Sequence, residues 1–263
     1  GRPPIAINVQ SVSTDTITGT ITLPKNEPLG VWDLSVKNID LQTNTRQQVY
    51  RVREHSSLTL TSKEDGVAGQ PFTLSGRLSS KQGGLYGRQI FLFRSTDKTV
   101  WFMDPTHYFT GQNGVFSIIQ NEPSRGSYYY RTVFNGDNEV KGSTSPDLQV
   151  CVRAPTHISA QISPLYVNPR KSATVTGTLT RSDTGGTMGD VPVSLMKQLK
   201  SGRWNILRTA RTFPNGTYSF QVSENAAGTF HYKVKYGGSK CTYSGSESPV
   251  VDLNIISQKI PEP

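Results

Sequence analysis

The sequence lacks the features by which catalytic and membrane-spanning chains are usually recognised. No apolar run approaches the roughly 20 residues that cross a bilayer, and the opening Gly1-Arg2-Pro3-Pro4 has no apolar signal-peptide region. We find no Gly-x-Ser-x-Gly, no His-Glu-x-x-His, no nucleotide-binding glycine run and no calcium-loop pattern. We therefore expect a protein that is not an enzyme and has no cofactor. Any membrane attachment is expected only through regions outside this sequence.

Cysteine and histidine are also scarce. The chain has two cysteines, Cys151 and Cys241, which are too few for a disulfide scaffold and have no His or Cys neighbours at metal-ligand spacing. The four histidines are scattered along the chain, so we expect no metal site: His55, His107, His157 and His231.

Charged residues make up only 18% of the 263 residues, whereas Thr, Ser, Gly, Val and Tyr are plentiful. This composition favours strands and turns over helices, and the length suits two or three domains of roughly 100 residues each. The net charge of +9 permits acidic partners such as anionic glycans. Nothing in the sequence predicts specific nucleic-acid binding.

An internal repeat is the strongest signal. Residues 54–154, the middle module, recur as residues 155–257, the third module, at a displacement of roughly 100 residues. Both copies contain a short apolar run ending in Gly, an Asn-Gly pair, an aromatic-x-Tyr strand and a closing Ser-Pro before a last apolar strand. The matched pairs begin with Phe72–Gly76 and Ala173–Gly177, Gln112–Ser117 and Pro214–Ser219, and Ser145-Pro146 and Ser248-Pro249.

The apolar residues of each module alternate with polar ones. In the third module Phe230, Tyr232, Val234 and Tyr236 fall on one face of a strand, a period of two that is typical of a half-buried antiparallel strand. The same reading predicts inward-facing residues on three further pairs of segments. These are Phe72/Leu74/Leu78 with Ala173/Val175/Leu179, Gln89/Phe91/Phe93 with Val191/Val193/Leu195, and Phe116/Ile118 with Tyr218/Phe220/Val222.

Turn signals complete the fold prediction. Asn113-Gly114 and Asn215-Gly216 lie between alternating runs, where an Asn-Gly pair favours a tight hairpin. About seven short strands per module, without helices, predict an all-β chain of tandem immunoglobulin-like antiparallel β-sandwiches.

On these motifs each module resembles the Ig-like repeats of bacterial and archaeal cell-surface proteins. Tyr128 and Phe230 stand at the tyrosine-corner position of Ig folds, and Tyr130 and Tyr232 stand where antibody domains have their second core cysteine. The resemblance implies cores held by packing. It also implies a surface protein such as an S-layer component, filament or adhesin, including archaeal ones.

Residues 1–53, the first segment, differ from the two modules. Gly30-Val31-Trp32 followed by Val36-Lys37-Asn38-Ile39-Asp40 resembles the second half of an IPT/TIG-type domain, and this resemblance places Trp32, Leu34 and Val36 towards a core. Because so short a segment rarely forms a complete sandwich, we interpret it as a partial domain whose other half was cut away or comes from elsewhere, either from upstream sequence or from another chain. Its open strand edge would be available for pairing with another chain. Residues 258–263 are expected to be a tail.

The two cysteines occupy non-equivalent places in the repeat. Cys151 lies in the last strand of the middle module and Cys241 in the turn before the last strand of the third module, at the end that faces its predecessor. A disulfide across the junction is one interpretation, and it would imply an oxidising compartment. Two buried free thiols or an intermolecular link are the alternatives.

Basic residues concentrate in the third module, which has eleven Lys and Arg against five acidic residues. Several belong to one predicted hairpin around Trp204, and they form a candidate contact patch for an acidic polymer or a neighbouring subunit. The alternative is that they protect an edge strand from unwanted pairing. The patch consists of Lys197, Lys200, Arg203, Trp204, Arg208 and Arg211.

Asn215 is the acceptor of an Asn-x-Thr glycosylation sequon, although the Asn-Gly turn already accounts for it. The leading hypothesis is a structural or adhesive array at the cell surface that contacts copies of itself or neighbouring surface proteins. The alternative is a carbohydrate- or ligand-binding accessory region of a larger secreted enzyme.

Overall fold

The computed structural model describes residues 4–23, 29–37 and 39–256, so the expected tail lies outside the described residues. The first segment contains two separate antiparallel pairs, β1 with β2 and β3 with β4. Their bounds are β1 Asn8–Val12, β2 Ile17–Thr20, β3 Gly30–Lys37 and β4 Thr43–Val52.

The middle module consists of two facing sheets. One has the order β12-β7-β5 with β8 beside β7, and the other has the order β10-β9-β13-β15-β6 with β11 beside β9 and β14 beside β13. One turn of 3-10 helix, Gln112–Gly114, precedes β12. The strands are β5 Ser56–Ser62, β6 Gly66–Val67, β7 Pro71–Ser80, β8 Gly83–Gly84, β9 Gln89–Ser95, β10 Phe102–Met103, β11 Tyr108–Phe109, β12 Val115–Asn121, β13 Gly126–Gly136, β14 Lys141–Thr144 and β15 Leu148–Arg153.

The third module repeats this topology. β19 pairs with β16, β17 and β22 in one sheet, and the other sheet has the order β18-β25-β23-β20-β21 with β24 beside β23. The predicted all-β architecture of tandem Ig-like sandwiches is therefore confirmed. The strands are β16 Thr156–Ile158, β17 Gln161–Ser163, β18 Tyr166–Val167, β19 Ser172–Arg181, β20 Pro192–Gln198, β21 Trp204–Arg211, β22 Thr217–Ser223, β23 Gly228–Tyr236, β24 Ser246–Glu247 and β25 Val251–Ile255.

Each module has its own core between its two sheets. The alternating residues predicted to face inward on the strands that flank the Gly and Asn-Gly motifs are buried in these cores. Tyr130 and Tyr232 lie at the two centres with no exposed surface. The Tyr128 hydroxyl donates to the Ser124 carbonyl at 2.8 Å, which is the hydrogen bond expected of a tyrosine corner.

The predicted register of β9 was wrong by one residue. Ile90 and Leu92 are fully buried, whereas Phe91 and Phe93 are only half-buried and lie on the outer face of the sheet. The stretch is apolar at four consecutive positions, so the alternation alone does not tell which face is inside. A one-residue shift moves every side chain to the opposite face.

The two Asn-Gly pairs do not form hairpins. Asn113-Gly114 connects β11 to β12 and Asn215-Gly216 connects β21 to β22, and in each case the flanking strands belong to opposite sheets. Gly114 and Gly216 do adopt positive φ values of 73° and 77°. The pair therefore supplies the left-handed backbone for a turn that crosses from one sheet to the other.

The first segment has no buried core among its described residues. Leu34 and Val36, which were expected to face a core, have 38% and 42% of their surface exposed, and Trp32 is half-buried. The physical reason is that β3 and β4 form a two-stranded sheet, and no second sheet of the described residues packs over it. Asn38 of the IPT/TIG-like stretch lies outside the described residues, and that resemblance stays a prediction.

Candidate interaction surfaces

The outer face of the larger sheet in the middle module consists mainly of half-buried aromatic and apolar side chains. Phe93 pairs with Met103 of β10 and with Arg131 of β13, and Phe91 pairs with Val133. Paired residues of an antiparallel sheet point to the same side, so these side chains form one surface. Together with Trp101 and Tyr129 they make up the aromatic face: Phe91, Phe93, Trp101, Met103, Tyr129, Arg131 and Val133.

Cations cover the two polar aromatic rings of this surface. The Arg131 guanidinium lies 3.5 Å from the ring centre of Trp101 and also forms an ion pair with Asp147 at 3.1 Å. The Lys98 ammonium lies 4.6 Å from the ring centre of Tyr129. Since Arg131 is balanced by Asp147, the surface combines apolar area with little net charge. Aromatic residues, Met and Arg are the types that protein interfaces enrich.

The equivalent face of the third module is charged. Ser194 pairs with Lys235 where Phe91 pairs with Val133, and Met196 pairs with Lys233 where Phe93 pairs with Arg131. Glu247 of the neighbouring strand accepts from Lys233 at 2.6 Å and forms an ion pair with Lys235 at 3.0 Å. The two lysines hold the pKa of Glu247 below its ordinary value by hydrogen bonding and by their charge.

The predicted basic patch is placed on one hairpin, formed by β20 and the edge strand β21. Lys197, however, points to the end of the core, where it forms an ion pair with Glu224 at 2.5 Å. Arg211 is held by Asp190 at 2.5 Å. Trp204 is stacked by Lys233, whose ammonium lies 4.6 Å from the ring centre.

Three bases therefore remain as the charged surface of the hairpin. Lys200, Arg203 and Arg208 are exposed, and no ion pair involves them in the described part of the chain. Arg208 and Arg211 lie on the edge strand itself, which gives that edge the charge that discourages strand pairing. The structure thus divides the cations of the predicted patch into three groups: Lys197 in a half-buried ion pair, Arg211 in an exposed ion pair, and three solvent-facing cations.

The sequence analysis missed a polar cluster that recurs in both cores. In the middle module the Glu122 carboxylate accepts from Arg94 at 2.5 and 2.7 Å and from the Tyr130 hydroxyl at 2.6 Å. In the third module Glu224 accepts from the Tyr232 hydroxyl and pairs with Lys197. The signal was present in the sequence, since a base, an acid and a tyrosine recur at displacements of 102 or 103 residues.

Burial gives this cluster its energetic weight. Glu122 has only 3% of its surface exposed, so its charge depends on Arg94 and Tyr130 for compensation. Burial, together with the hydrogen bond to Glu122, raises the pKa of Tyr130 above its ordinary value. Burial raises the pKa of Tyr232 in the same way. Both tyrosines are therefore hydrogen-bond donors that anchor the carboxylates, and the cluster has a structural role.

The two cysteines form a disulfide across the junction between the modules. Cys151 of β15 is bonded to Cys241, at a sequence separation of 90 and a Cα–Cα distance of 4.8 Å. The linker also docks through its backbone, because Ala154 donates to the Thr242 carbonyl and accepts from the Ser244 amide, both at 2.9 Å. The junction is thus held by covalent and main-chain bonds together.

The first junction repeats this docking without a disulfide. Glu54 donates to the Glu139 carbonyl at 2.9 Å and accepts from the Lys141 amide at 2.7 Å, as Ala154 does one module later. At the place of the disulfide, Arg51 donates to the Asn138 carbonyl at 3.2 Å. The same backbone joint is therefore closed by a hydrogen bond at one junction and by a covalent bond at the other.

Asn215 is exposed, and its side-chain oxygen accepts from the amide and hydroxyl of Thr217 at 3.2 and 2.7 Å. The sequon asparagine is thus accessible and also shapes its own turn, and glycosylation stays a prediction. The histidines do not come together, and His231 instead contacts Asp252 at 2.7 Å. Within residues 4–23, 29–37 and 39–256 no group of three or more His, Cys, Asp or Glu could hold a metal ion.

An open cleft of about 600 Å³ lies at the first junction, between Gly30, Gly83 and Val140. Its charged lining residues include Arg88 and Glu139, which form an ion pair with each other at 3.3 Å. Among the described residues, no helix has the length and apolar character needed to cross a membrane.

No protein-family model matches the chain, and no curated protein matches it. Among solved structures, the chain is similar to invasin, a bacterial integrin-binding protein, at 17% identity and a TM-score of 0.31, over 78% of this chain and 40% of that one. It is similar to the Yersinia pseudotuberculosis adhesin InvE at 12% identity and a TM-score of 0.30, over 76% and 59%. It is also similar to the D0–D1 domain of intimin, at 10% identity and a TM-score of 0.29. That match covers 75% of this chain and 97% of the intimin chain.

The chain thus spans less than two thirds of the first two of these proteins. At such low TM-scores the similarities add no argument about activity or partners. The fold class rests on the sheet topology described above, which is that of tandem immunoglobulin-like sandwiches.

Proposed function

We propose that this chain is a non-catalytic structural and adhesive array of an extracellular surface protein, and that it self-associates through the aromatic face of the middle module. The observation that carries the proposal is this apolar surface, presented on a module that is covalently fixed to its neighbour. Met103 is 55% exposed and the other members of the face are half-buried. Contiguous apolar surface that solvent reaches on a folded module marks an interaction site. Envelope layers, filaments and adhesins are the settings in which such an array works.

A second copy of the chain is the partner that best fits the charge distribution. The middle module has almost no net charge, and Asp147 balances Arg131 within the face, so two copies meet without strong repulsion. Two third modules, each with an excess of bases, would repel each other if they met through the equivalent face. The disulfide supports an extracellular location, because disulfides persist in oxidising compartments.

The alternative, a carbohydrate-binding accessory region, is less well supported by the aromatic face. A sugar ring stacks on an open aromatic ring, but Arg131 covers Trp101 and Lys98 covers Tyr129. The exposed cations Lys200, Arg203 and Arg208 leave an anionic glycan as a secondary ligand of the third module. Such binding would weaken steeply with salt.

The test exchanges residues between equivalent places of the two modules. Phe91→Ser with Val133→Lys gives the middle module the outer-face residues Ser194 and Lys235 of the third module. Multi-angle light scattering across a concentration series should show association of the natural chain and a monomer for the exchanged variant. Ile206→Ser, which removes an exposed apolar residue from the third module, is the matched control and should associate normally.

A natural chain that stays monomeric at every concentration would contradict self-association and favour a spacer or accessory module. If the exchanged variant still associates, the contact lies on a surface other than the aromatic face, which would contradict this part of the proposal. Repeating the series with reductant separates association that depends on the Cys151–Cys241 bond from association that does not.

A further inference from the structure

The third module has more positive charge than its own acidic residues balance. All five of these acids are in ion pairs, and they are Asp183, Asp190, Glu224, Glu247 and Asp252. Five of the eleven Lys and Arg belong to these pairs. Within the described part of the chain, the other six form no ion pair: Arg170, Lys171, Lys200, Arg203, Arg208 and Lys240. Residues 258–263 add one lysine and one glutamate and so leave this balance unchanged.

Two of these cations lie in a turn at one end of the module. The Arg170 amide donates to the Glu224 carbonyl at 2.8 Å, and the Lys171 amide donates to the Asn168 carbonyl at 3.1 Å. The Glu224 loop precedes β23 and the Cys241 loop follows it, so the two loops lie at opposite ends of the module. Arg170 and Lys171 are therefore exposed at the end that points away from the disulfide.

Two further cations lie at the tip of the β20–β21 hairpin. The Leu199 amide donates to the Arg203 carbonyl at 2.8 Å, which closes a tight turn around Lys200. The tip reaches the same end of the module, because the Lys197 ammonium, just before this turn, contacts the Glu224 carboxylate at 2.5 Å. Lys197 thus neutralises the acid that joins the two turns. The four exposed cations make up the basic end: Arg170, Lys171, Lys200 and Arg203.

The equivalent positions of the middle module carry no cation. The backbone is the same, since the Gly69 amide donates to the Glu122 carbonyl at 2.8 Å as the Arg170 amide does to Glu224. All four positions are exposed even though the third module docks at that end of the middle module. The shared fold therefore does not require the charges of the basic end, and a module docked in the same way would leave it accessible. The equivalent positions are Gly69, Gln70, Asp97 and Val100.

A linear polyanion fits this surface better than a lipid bilayer does. Cations on two separate turns match acidic groups that recur along a polymer. The exposed apolar residues near this end, Leu165 and Tyr166, lie on or beside β18, at the opposite edge of the larger sheet from the hairpin. A membrane-binding surface combines cations and apolar side chains in one place. The exposed residues that accompany the cations in these loops are polar instead, and they include Asn168, Ser201 and Asn225.

We propose that the basic end binds an acidic polysaccharide, through ion pairs of its four cations with carboxylate or sulfate groups on successive sugar units. The contact between Lys197 and Glu224 holds the two turns in place beneath the ligand. The inference rests on the proposed extracellular setting. It does not depend on self-association, because the basic end belongs to the third module and the aromatic face to the middle one.

The probe is a fluorescently labelled heparin octasaccharide added to the full chain under non-reducing conditions. Fluorescence anisotropy should show saturable binding of this probe and none of a neutral dextran of equal length. The affinity should fall about 10- to 100-fold between about 50 and about 200 mM salt, because the ion pairs release counterions. An alginate octasaccharide, which carries carboxylates alone, distinguishes the two acidic groups. Equal binding of both probes assigns the contact to carboxylates or sulfates alike, and tighter binding of heparin assigns it to sulfates.

Two variants with the same net charge locate the contact. Replacing all four cations of the basic end by Gln should weaken heparin binding at least about 10-fold. The control replaces four exposed lysines elsewhere by Gln and should weaken binding less than about 3-fold, because distant charges are screened by salt. These lysines are Lys63, Lys81, Lys141 and Lys240.

Urea unfolding of both variants should match that of the natural chain, since all eight positions are exposed. If the fourfold variant is less stable, two double variants replace it. These are Arg170→Gln with Lys171→Gln, and Lys200→Gln with Arg203→Gln, and each should weaken binding about 3-fold or more.

Three results would overturn the proposal. One is the absence of binding of either acidic octasaccharide to the natural chain. Another is equal weakening in the test and control variants, which would mean that binding follows the net charge alone. The third is binding to phosphatidylglycerol vesicles that the octasaccharides do not displace, which would make a bilayer the ligand. The readout is saccharide binding, so a monomeric chain can still pass this test, and an associating chain can still fail it.

Discussion

The middle and third modules have the same core and different outer faces. Both bury an alternating set of apolar residues around a central tyrosine that donates to an acid, and both have a cation stacked on a tryptophan. Outside the core, Phe91 and Val133 of one module face solvent where the other has Ser194 and Lys235. The fold therefore constrains the inner positions, while the outer positions are available to specialise each copy.

The largest expected loss of unfolding free energy comes from β9, and it tests which residues of this strand lie in the core. Leu92→Ala should lower the free energy of unfolding by about 2–5 kcal/mol, because Leu92 is fully buried. Leu195→Ala, at the equivalent place in the third module, should cost a similar amount, whereas the half-buried Phe91→Ala should cost clearly less. Chemical denaturation measures all three, and a Phe91 effect as large as that of Leu92 would contradict the outer placement of Phe91.

The next effect distinguishes the two junctions. Replacing Cys151 and Cys241 together by Ser should destabilise the third module by about 2–4 kcal/mol, since the bond closes a long loop. Arg51→Ala at the first junction removes one hydrogen bond and should cost about 1 kcal/mol. Calorimetry of the two variants measures the difference. If the cysteine variant and the natural chain unfold at the same temperature, backbone docking alone holds the second junction.

A smaller effect compares the polar clusters of the two cores. Glu122→Gln should destabilise the middle module by about 1.5–3 kcal/mol, because a buried acceptor loses its charge beside a bidentate arginine. Glu224→Gln should cost less, since the side chain of Glu224 is 14% exposed against 4% for Glu122 and pairs with a single ammonium. Urea unfolding of both variants measures the two losses of unfolding free energy. A larger loss for Glu224→Gln than for Glu122→Gln would contradict this explanation.

The smallest effect is a pH dependence confined to the third module. The folded-state pKa of Glu247 is lowered by Lys233 and Lys235, so its contribution is complete above the unfolded-state pKa of about 4.3. That contribution is lost as the pH falls through the lower folded-state pKa. The contribution of Glu247 to the free energy of unfolding should stay below about 1 kcal/mol, because its ion pairs with the two lysines are partly exposed. Thermal unfolding of Glu247→Gln should show a weaker acid dependence than the natural chain. An unchanged acid dependence would exclude Glu247 as its source.

The repeat and the sandwich class could be predicted because their signals are local. Alternation along each strand and the recurring Gly, Asn-Gly and Ser-Pro motifs are visible without knowing which strands meet. The role of the Ser-Pro motif was not visible. The Ser145 hydroxyl accepts from the Thr132 amide at 3.0 Å and donates to the Pro146 carbonyl, and Ser248 does the same with Val234 and Pro249.

The rest depended on contacts between strands that are distant in sequence. The face of Phe91 is decided by the facing sheet β12-β7-β5, which packs on the side of Ile90 and Leu92. The partners of Glu122 and Glu224 come from two other strands, so single positions gave no indication of a cluster. In the first segment, the IPT/TIG-like resemblance placed Leu34 and Val36 towards a core, but the strands that would cover them are absent from the described chain.

The disulfide has a mechanical consequence for a chain held at both ends. Tension that reaches Cys151 passes directly through the sulfur atoms to Cys241, so the residues between them, most of the third module, lie outside the path of the force. Unfolding this module under load would release only the short stretch after Cys241, whereas the middle module lengthens by its full contour. The array therefore has one extensible and one nearly inextensible link, and reduction would make both extensible.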